Sequence, residues 1–255
     1  MNTQSFANKA FAFSLFVLSL MLFAYPMEAR SQDRVILGVG AGIMPVYQGA
    51  GDYRVMPLPV IDIKHGRFFT NLRNGIGFEP IRTENITIGS SIVFVPGYRN
   101  RDVPDGIDSL SSGVGGRLFA DIQAGGSVVS FGVVKVVSGG TEGVIADARI
   151  SYPFALSSRF SLTPTLATTW ANARYNDRYF GITAAESAAS GLPQFSAGSG
   201  FKDISALLTA SYRMTDRITL SMTGSMTSLL GEVNDSPLVE DKTQPFGMLT
   251  LNYRM

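Results

Sequence analysis

Residues that could perform catalysis are few in this sequence, and their spacing does not form a catalytic arrangement. The segment SAGSG at 196–200 sets serines among glycines, as the nucleophile turn of a serine hydrolase does. Ala197 stands where G-x-S-x-G has its first glycine, and the segment does not lie between a strand and a helix. A serine mechanism would also need His65, the only histidine, which precedes Gly66 in a predicted tight turn on the opposite side. We therefore predict no catalytic residues.

Metal and cofactor sites are not predicted either. The chain has one histidine and no cysteine, which excludes thiolate ligands, disulfides and a cysteine nucleophile. Acidic residues cluster in predicted loops, where DVPDGID at 102–108 lacks the full pattern of a calcium loop. The glycine-rich segments 38–42 and 113–116 are not followed by a helix whose N-terminus could bind phosphate.

The elements that must position these residues are strands. In the run 217–230, apolar residues beginning at Ile218 alternate with polar residues beginning at Arg217. A strand turns successive side chains to opposite faces, so the alternation predicts one apolar face and one small polar face. Comparable runs lie at 143–156, 159–172 and 203–214. They exceed the usual strand of about 5–6 residues and suffice for a tilted membrane strand of ~9–11 residues.

Two architectures fit this alternation, a soluble barrel or sandwich with a buried apolar face and a membrane barrel with its apolar face toward lipid. Charged residues are only 16% of the chain, and the polar faces carry Ser, Thr and Gly instead of Lys and Glu. We therefore expect an all-β fold, an antiparallel transmembrane β-barrel whose polar face lines the lumen. Its few charges have both signs and are expected to pair there: Arg117 with Asp121, Asp147 with Arg149, and Asp203 with Arg213.

The N-terminus has the features of a secretory signal peptide. Lys9 precedes an apolar run over 10–25, and Ala29 and Ser31 have the small-residue spacing of a cleavage site. An uncleaved anchor is the alternative, but the run is shorter than the ~20 residues of a spanning helix. The sequence therefore divides into a predicted signal peptide, 1–31, and a barrel domain, 32–255.

The charge of the predicted mature chain is neutral. Removing Lys9, Arg30 and Glu28 from the 21 basic and 20 acidic residues leaves 19 of each. A nucleic-acid partner would favour a basic patch, so none is predicted.

Connection lengths predict the topology. Tight turns near 83–84, 125–126, 157–158 and 215–216 alternate with longer connections near 98–111, 139–142, 174–200 and 231–243. Outer-membrane barrels have short periplasmic turns and longer extracellular loops, so each set is expected on its own side. An even strand count requires a short hairpin within 67–81 that turns at Asn74–Gly75, which gives twelve strands. Ten is the alternative if the region around Pro57 and Pro59 lies outside the barrel, because proline cannot donate to a ladder.

Strand ends give a further indication of the outer membrane. The chain ends in a predicted strand, GMLTLNYRM, which resembles the terminal signal of outer-membrane barrels except that its last residue is Met255 and not Phe. An aromatic girdle is expected at the tight-turn end from Tyr152, Phe154, Phe160, Tyr212 and Tyr253. We expect the protein in the cell outer membrane, in contact with its lipid.

Three segments carry a family resemblance. They are PVYQGAGDYRVMPLPVIDI at 45–63 with GRFF at 66–69, YFGITAAESAASGLPQFSAGSGFKDI at 179–204, and SLLGEVNDSPLVEDKTQPFGMLTLNYRM at 228–255. With these segments the chain is similar to the MipA/OmpV family of outer-membrane proteins, whose founding member is known as the MltA-interacting protein. The resemblance covers nearly all of the mature chain, and the middle segment is the most specific.

The resemblance implies an outer-membrane barrel without known catalysis or cofactors. It implies a scaffold that links a lytic transglycosylase to a penicillin-binding protein during cell-wall synthesis, although no partner-binding residues can be matched here. The Ser- and Thr-rich lumen face supports a small-solute channel as an alternative, and loops 98–111, 174–200 and 231–243 support a surface adhesin or receptor.

The segment 179–200 is expected to be the longest outer loop and a structural lid. Its small residues and glycines suit a loop that folds over or into the barrel mouth. Phe180, Leu192 and Phe195 are the predicted anchors of this loop, and its serines are predicted to serve turns and packing.

Overall fold

Long alternating strands make up most of the chain. The computed structural model describes residues 33–255, so the signal-peptide prediction for 1–31 lies outside the described residues. Within 33–255 there are twelve strands, if the two collinear segments of the eighth are counted together, and two short helices. The strands are β1 (Arg34–Pro45), β2 (Tyr53–His65), β3 (Phe68–Asn71), β4 (Gly75–Arg82), β5 (Ile86–Val95), β6 (Gly113–Ala124), β7 (Ser127–Ser138), β8 (Val144–Ser151 and Phe154–Ala155), β9 (Phe160–Ala171), β10 (Gly200–Arg213), β11 (Ile218–Leu229) and β12 (Thr243–Arg254). The helices are α1 (Ala173–Phe180) and α2 (Ala184–Ser190), and short 3-10 turns lie at Asn100–Asp102 and Gly231–Asp235.

The sheet closes on itself as an antiparallel barrel. Each strand pairs with the next along the chain, and β1 also pairs with β12 from Ile36↔Arg254 to Ile43↔Gly247. Closure removes the free sheet edge between the first and last strands, whose backbone groups would otherwise be unpaired in lipid. The prediction of an antiparallel transmembrane barrel with twelve strands is confirmed, and the alternative of ten is wrong.

The strand count depends on the region around the two prolines. Strand β2 runs through Pro57 and Pro59 without a break and pairs with β1 along its whole length. The short hairpin predicted within 67–81 is present as β3 and β4, but its turn is 72–74 instead of Asn74–Gly75, because Gly75 already pairs with Asn71. Gly75 follows this turn with φ of 68°, and a Cβ there would lie 2.0 Å from the carbonyl oxygen of Ile92, so glycine is required.

The two faces of the barrel differ as the sequence predicts. Large apolar side chains on the outer face are exposed, among them Val39, Val55, Ile76, Ile92, Phe94, Leu118, Leu166 and Met222. Inside, hydroxyl groups bond in pairs across neighbouring strands, at Ser205–Thr227, Thr209–Thr223, Ser211–Ser221 and Ser151–Thr165, with oxygen separations of 2.8–2.9 Å. An exposed apolar band around a hydroxyl-rich interior is the arrangement of a barrel in lipid. No helix within 33–255 is long and apolar enough to cross a membrane.

Short and long connections lie at opposite ends of the barrel. The connections 66–67, 83–85, 125–126 and 214–217 are tight, whereas 46–52, 96–112, 172–199 and 230–242 are long. The first set is periplasmic by the usual orientation of such barrels, and both chain ends of the barrel lie with it. The outward-facing aromatic residues Tyr152, Phe154, Tyr212 and Tyr253 are exposed at that end, where the girdle is predicted.

Candidate functional site: the capped lumen

The outer mouth of the barrel is filled by a cap, which we define as the connections 46–52, 96–112, 139–143, 172–199 and 230–242. Aromatic residues of three of these connections meet in one buried cluster. Tyr98 packs edge-on against Tyr179 with ring centroids 5.4 Å apart, and Tyr47 lies 5.7 Å from Tyr98. The cluster also contacts inward-facing residues at the outer ends of the strands, Val93, Val95, Val134, Val136, Ala171 and Leu229. The cap therefore inserts into the mouth and is the largest buried apolar region of the described chain.

Helix α1 supplies the centre of the cap. Asn172 begins the helix, since its side chain accepts a hydrogen bond from the backbone N–H of Tyr175 at 3.2 Å. The buried residues are Tyr175, Asn176, Tyr179 and Phe180, a spacing that places them along one side of the helix. Tyr175 stacks on Tyr179 with ring centroids 5.9 Å apart.

Helix α2 begins with a capping box. The Thr183 hydroxyl accepts from the backbone N–H of Glu186, and the Glu186 carboxylate accepts from the backbone N–H of Thr183 at 2.9 Å. Gly191 ends the helix in the left-handed conformation. Neither helix was expected from the sequence pattern, although Thr183-Ala-Ala-Glu186 has the spacing S/T-x-x-E that marks a helix start.

Hydrogen bonds to the backbone hold the cap connections together. The Tyr179 hydroxyl accepts from the backbone N–H of Gln48 at 3.1 Å, and the Tyr98 hydroxyl donates to the Tyr179 carbonyl at 3.3 Å. The Ser236 hydroxyl donates to the carbonyl of Phe180 at 2.6 Å. The Tyr47 hydroxyl donates to the carbonyl of Leu238 at 2.9 Å. Each of these hydrogen bonds joins two different connections, so the cap is one packed unit.

Burial changes the acid–base behaviour of the cap tyrosines. Desolvation raises the pKa of Tyr179 and of Tyr175 above the usual value for a phenol. Burial likewise raises the pKa of Tyr47, and the Glu240 carboxylate beside it raises it further. These hydroxyls therefore stay protonated and do not act as general bases.

The residues predicted as loop anchors lie in the cap. Phe180 is 1% exposed, and Leu192 and Phe195 are partly buried against the same cluster. Phe195 also pairs with Ile182 through two backbone hydrogen bonds of 2.8 and 3.1 Å, which folds the segment back on itself. That these three side chains anchor the loop is a proposal tested below.

The serines of this segment serve local structure. The Ser199 hydroxyl accepts from the backbone N–H of Ala173 at 2.7 Å, and the Ser190 hydroxyl donates to the Glu186 carbonyl at 2.7 Å. His65 lies in a periplasmic turn, where its Nδ1 is 2.8 Å from Asp33, at the opposite end of the barrel from Ser199. The structure therefore does not bring a serine and the histidine together.

A buried polar group lies directly beneath the cap. Lys202 Nζ lies 2.5 Å from the Asp203 carboxylate and donates to Gln48 Oε1 at 2.8 Å. Gln48 Nε2 donates to Asp203 at 2.9 Å. The predicted pairing of Asp203 with Arg213 is wrong, because ten residues of extended strand separate them by about 33 Å. Lys202 and Asp203 are consecutive residues, yet both side chains are buried inside the barrel. The pairing register between β9 and β10 shifts at the same level, between Thr169 and Trp170.

Lower in the lumen, arginine and aspartate side chains form ion pairs along the wall made by β6, β7 and β8. Arg117 binds Asp147 through both guanidinium nitrogens, at 2.5 and 3.0 Å, and its Nε donates to Asn74 Oδ1 at 3.1 Å. Arg73 extends from the β3–β4 turn toward the Asp121 and Asp147 carboxylates, at 3.9 and 3.8 Å.

The partners in this group differ from the prediction. Arg117 and Asp121 lie four residues apart on one strand, about 13 Å along its axis, whereas neighbouring strands are only about 5 Å apart. Arg117 therefore bonds across strands to Asp147, and Asp121 faces Arg73. The predicted contact of Asp147 with Arg149 is also wrong. The Asp147 carboxylate is bound by Arg117 from across β7, and Arg149 forms no ion pair within 33–255.

A cavity of about 780 Å³ lies under one side of the cap. Its lining includes Met44, Met56 and Phe246 from the lumen face of β1, β2 and β12, and Tyr47 and Tyr179 from the cap. Cavities of this size accommodate small organic molecules. Within residues 33–255 no cluster of three or more His, Asp or Glu could hold a metal ion.

Comparison with known proteins supports an outer-membrane assignment. The family model described as "MltA-interacting protein MipA" matches residues 37–255. A relative from Pasteurella multocida (strain Pm70), "24 kDa outer membrane protein", is 22% identical over 250 residues, which cover 93% of this chain and 97% of the relative. The "MltA-interacting protein" of Escherichia coli (strain K12) is 23% identical over 239 residues, which cover 89% of this chain and 92% of the relative.

Solved structures with a similar arrangement include two outer-membrane channels. The "KdgM porin" aligns with a TM-score of 0.46 at 8% identity, covering 86% of this chain and 98% of the porin. The "CymD monoaromatic hydrocarbon channel" aligns with a TM-score of 0.43 at 11% identity, covering 88% of this chain and 89% of the channel.

Proposed function

Because the chain belongs to the MipA family of outer-membrane proteins, we propose that it is a non-enzymatic scaffold of the cell envelope. In this role it holds a lytic transglycosylase and a penicillin-binding protein at the outer membrane. The observation that carries the proposal is the match over 37–255 to a model named for an interaction with MltA. The role in murein turnover and the second enzyme follow from the family resemblance.

The cap favours the periplasmic end as the binding surface for such partners. Cap side chains fill the outer mouth, so the surface offered to periplasmic enzymes consists of the short turns and the strand ends around the opposite mouth. That surface is strongly basic on one side. Arg159, Arg213, Arg217 and Arg254 are all exposed there, on the successive strands β9 to β12.

These four arginines, the arginine arc, lie next to one another. The backbone N–H of Arg213 donates to the Arg159 carbonyl, and that of Arg254 donates to the Arg217 carbonyl, both at 2.8 Å. Within 33–255 the arc forms no ion pair, and the Arg217 guanidinium donates to the Tyr253 hydroxyl at 3.3 Å. Asp216 in the turn 214–217 is the acidic side chain between Arg213 and Arg217, so the four arginines keep an excess of positive charge. Like charges on neighbouring strands repel, and this excess suits an anionic partner.

The direction in which the arginine side chains point distinguishes two possible anionic partners. Side chains at the lumen mouth would meet a protein, and outward-facing side chains would meet lipid phosphates. Arg213 continues the lumen-facing series of Thr209 and Ser211, whereas the aromatic residue beside it, Tyr212, faces lipid. Successive side chains of a strand point to opposite faces. Arg213, and Arg254 in the lumen-facing series of Thr250 and Asn252, therefore line the periplasmic mouth, whereas Arg217 extends to the outward-facing Tyr253. We propose that the mouth-lining arginines receive an acidic surface of the partner enzyme.

A pull-down from detergent extract tests the scaffold. The wild-type barrel should enrich a lytic transglycosylase above the level found with an unrelated barrel. The variant R213E/R254E should lose most of this enrichment, because rim charges set electrostatic complementarity. The double variant R101E/K242E makes the same charge change of four units on exposed residues of the outer side and should retain the enrichment. Equal recovery with the unrelated barrel would reject the scaffold, while equal recovery with R213E/R254E would reject only the arc.

A small-solute channel is the second candidate, and the hydroxyl-lined lumen favours it. The Arg117–Asp147 pair and Arg73 line that lumen along β6 to β8, where they would face an aqueous path. Planar-bilayer recording tests this function. Reproducible conductance that rises in R73A would support a channel, and the absence of conductance in both forms would reject it.

A further inference from the structure

The barrel wall is incomplete between β2 and β5 in its outer half. Strand β3 pairs with β2 only from Asp62↔Asn71 to His65↔Phe68. Strand β4 pairs with β5 only as far as Ile76↔Ile92. Within the described chain, the edge of β2 over 53–61 and that of β5 over 93–95 therefore have no strand between them. We call this region the wall gap.

The wall gap lies at the level of the membrane. Val55 on β2 and Phe94 on β5 flank it, and each side chain is 70% exposed on the outer face. Ile92 and Ile61 continue the apolar outer surface below them. Large exposed apolar side chains of a barrel face lipid, so the gap opens toward the membrane and not toward the external solution.

The sequence of β2 is compatible with a free edge. Proline is confined to edges and bulges of sheets because it cannot donate to a ladder, and β2 carries Pro57 and Pro59 within the gap. Backbone that is not paired at membrane depth is tolerated only where it is covered by protein or lines a cavity. The outer part of the β2 edge meets this condition, since Arg54 and Met56 line the 780 Å³ cavity, and below them Pro57 and Pro59 have no N–H that needs a partner.

The cavity extends from the lumen to the gap. Ser225 and Phe246 line it on the lumen face, and Phe94, whose side chain faces lipid, lines it on the other side of the gap. Met44, Met56 and Phe246 give it an apolar wall. A molecule dissolved in the outer leaflet would therefore reach the space under the cap through the side of the barrel, without passing the closed mouth.

Arginines lie at the outer end of the cavity. Arg54 Nη1 donates to both carboxylate oxygens of Asp102, at 3.0 and 3.2 Å, and Arg54 Nη2 donates to the Val46 carbonyl at 3.0 Å. Arg99 also lines the cavity, is exposed, and forms no ion pair within 33–255. One positive charge is left over at this end, where an anionic head group would lie beside the external solution.

From this arrangement we propose that the wall gap is a lateral portal for a single-chain amphiphile with an anionic head, such as a fatty acid. The apolar chain lies along Met44, Met56 and Phe246, and the carboxylate lies beside Arg99. This binding site is independent of the scaffold role, because it lies at the other end of the barrel from the arginine arc.

Photolabelling tests the portal. The barrel in lipid nanodiscs is irradiated with a diazirine analogue of palmitic acid, and labelled residues are mapped by mass spectrometry. We expect saturable labelling of the lumen-facing residues Met56 and Phe246, which excess palmitate suppresses by roughly tenfold. Labelling confined to outward-facing residues such as Val55 and Leu249, or labelling that palmitate does not suppress, would overturn the proposal.

Two variants make the result specific. M56W fills the cavity and should weaken lumen labelling by roughly tenfold, whereas M222W, the same substitution on the lipid face of β11 away from the gap, should leave it unchanged. R99Q should weaken competition by palmitate but not by hexadecanol, which lacks the charge. Heat-modifiable migration of each variant establishes that the barrel is folded. Equal lumen labelling in M56W and M222W would contradict binding in the cavity beside the gap.

Discussion

Arg117 on β6 binds Asp147 on β8 across the intervening strand β7, with nitrogen–oxygen distances of 2.5 and 3.0 Å. The strand between them has Gly132 at the crossing point, directly opposite Asp147. A Cβ at Gly132 would lie 2.1 Å from Arg117 Nη2, so the guanidinium passes through space that any other residue would fill. A missing side chain on one strand thus sets the ion pair between its two neighbours.

The first prediction concerns this glycine. G132A should displace the Arg117 guanidinium and lower the free energy of unfolding by about 1–3 kcal/mol, the usual effect of overpacking. The measurement is the urea midpoint of the refolded barrel in detergent. G116A is the matched control, since no heavy atom lies within 4 Å of a Cβ there. Equal midpoints for the two variants would show that Arg117 has room to move aside.

A second prediction tests the proposed anchor of the long loop. F180A removes a side chain that is buried in the cap and should destabilise the cap by about 3–5 kcal/mol. Proteinase K added to intact cells should then cleave the connection 172–199 faster than in wild type. F201A, which removes an exposed ring from the lipid face of β10, should not change the rate. Resistance of F180A equal to wild type would mean that other contacts anchor the loop.

A third prediction concerns the start of α2. T183A removes the hydroxyl that accepts from the Glu186 N–H and should destabilise the helix by about 0.5–2 kcal/mol. Hydrogen exchange of the α2 amides should speed up while the strand amides keep their protection. S187A lies in the same helix outside the capping box and serves as the control. An identical exchange rate in both variants would contradict a stabilising role of the box.

The fourth prediction is a pH dependence of the cap. Burial by itself would raise the pKa of Glu186, but hydrogen bonds from Thr183 and from the Asp108 N–H outweigh it and hold the pKa below 4.5. A lowered folded-state pKa contributes stability above the unfolded value, and this contribution is lost as pH falls through the folded value. Pepsin cleavage of 172–199 should therefore increase below pH 4.5.

The comparison that isolates Glu186 is E186Q, in which the titrating group is absent. Its pepsin cleavage should already be faster than wild type at pH 4.5, and the two rates should converge at lower pH. A wild type and an E186Q variant with parallel profiles would assign the acid sensitivity to other carboxylates.

Sequence patterns predicted the strands better than the partners of charged side chains. The alternation in 217–230 appears as β11 with the expected faces, and the short hairpin that the strand count required within 67–81 is present, with its turn at 72–74. The charged residues were assigned by closeness in sequence, and the structure pairs Arg117 and Asp203 with other residues. Pairing depends on strand register, which apolar–polar alternation along a single strand does not specify.

The cap helices show a second limit. The segment 173–190 is short and rich in alanine and serine, so it lacks the apolar periodicity that identifies a helix over longer windows. Only the helix N-cap residues Asn172 and Thr183 mark the helix starts, and the hydrogen bonds that their side chains accept are visible only in the structure. The wall gap could not be predicted because it results from the different lengths of four neighbouring strands.

By itself the sequence determined the outer-membrane barrel, an even strand count of twelve or ten, the lipid and lumen faces, and the sides on which short and long connections lie. These features follow from the two-residue repeat of a strand, which depends only on neighbouring residues, and from the even number of strands in an outer-membrane barrel. Only the tertiary structure decided the Arg117–Asp147 pair, the aromatic cap around Tyr179 and the opening beside Met56. Each of these depends on which distant segments become neighbours when the sheet closes, and that depends on register and loop packing across the whole barrel.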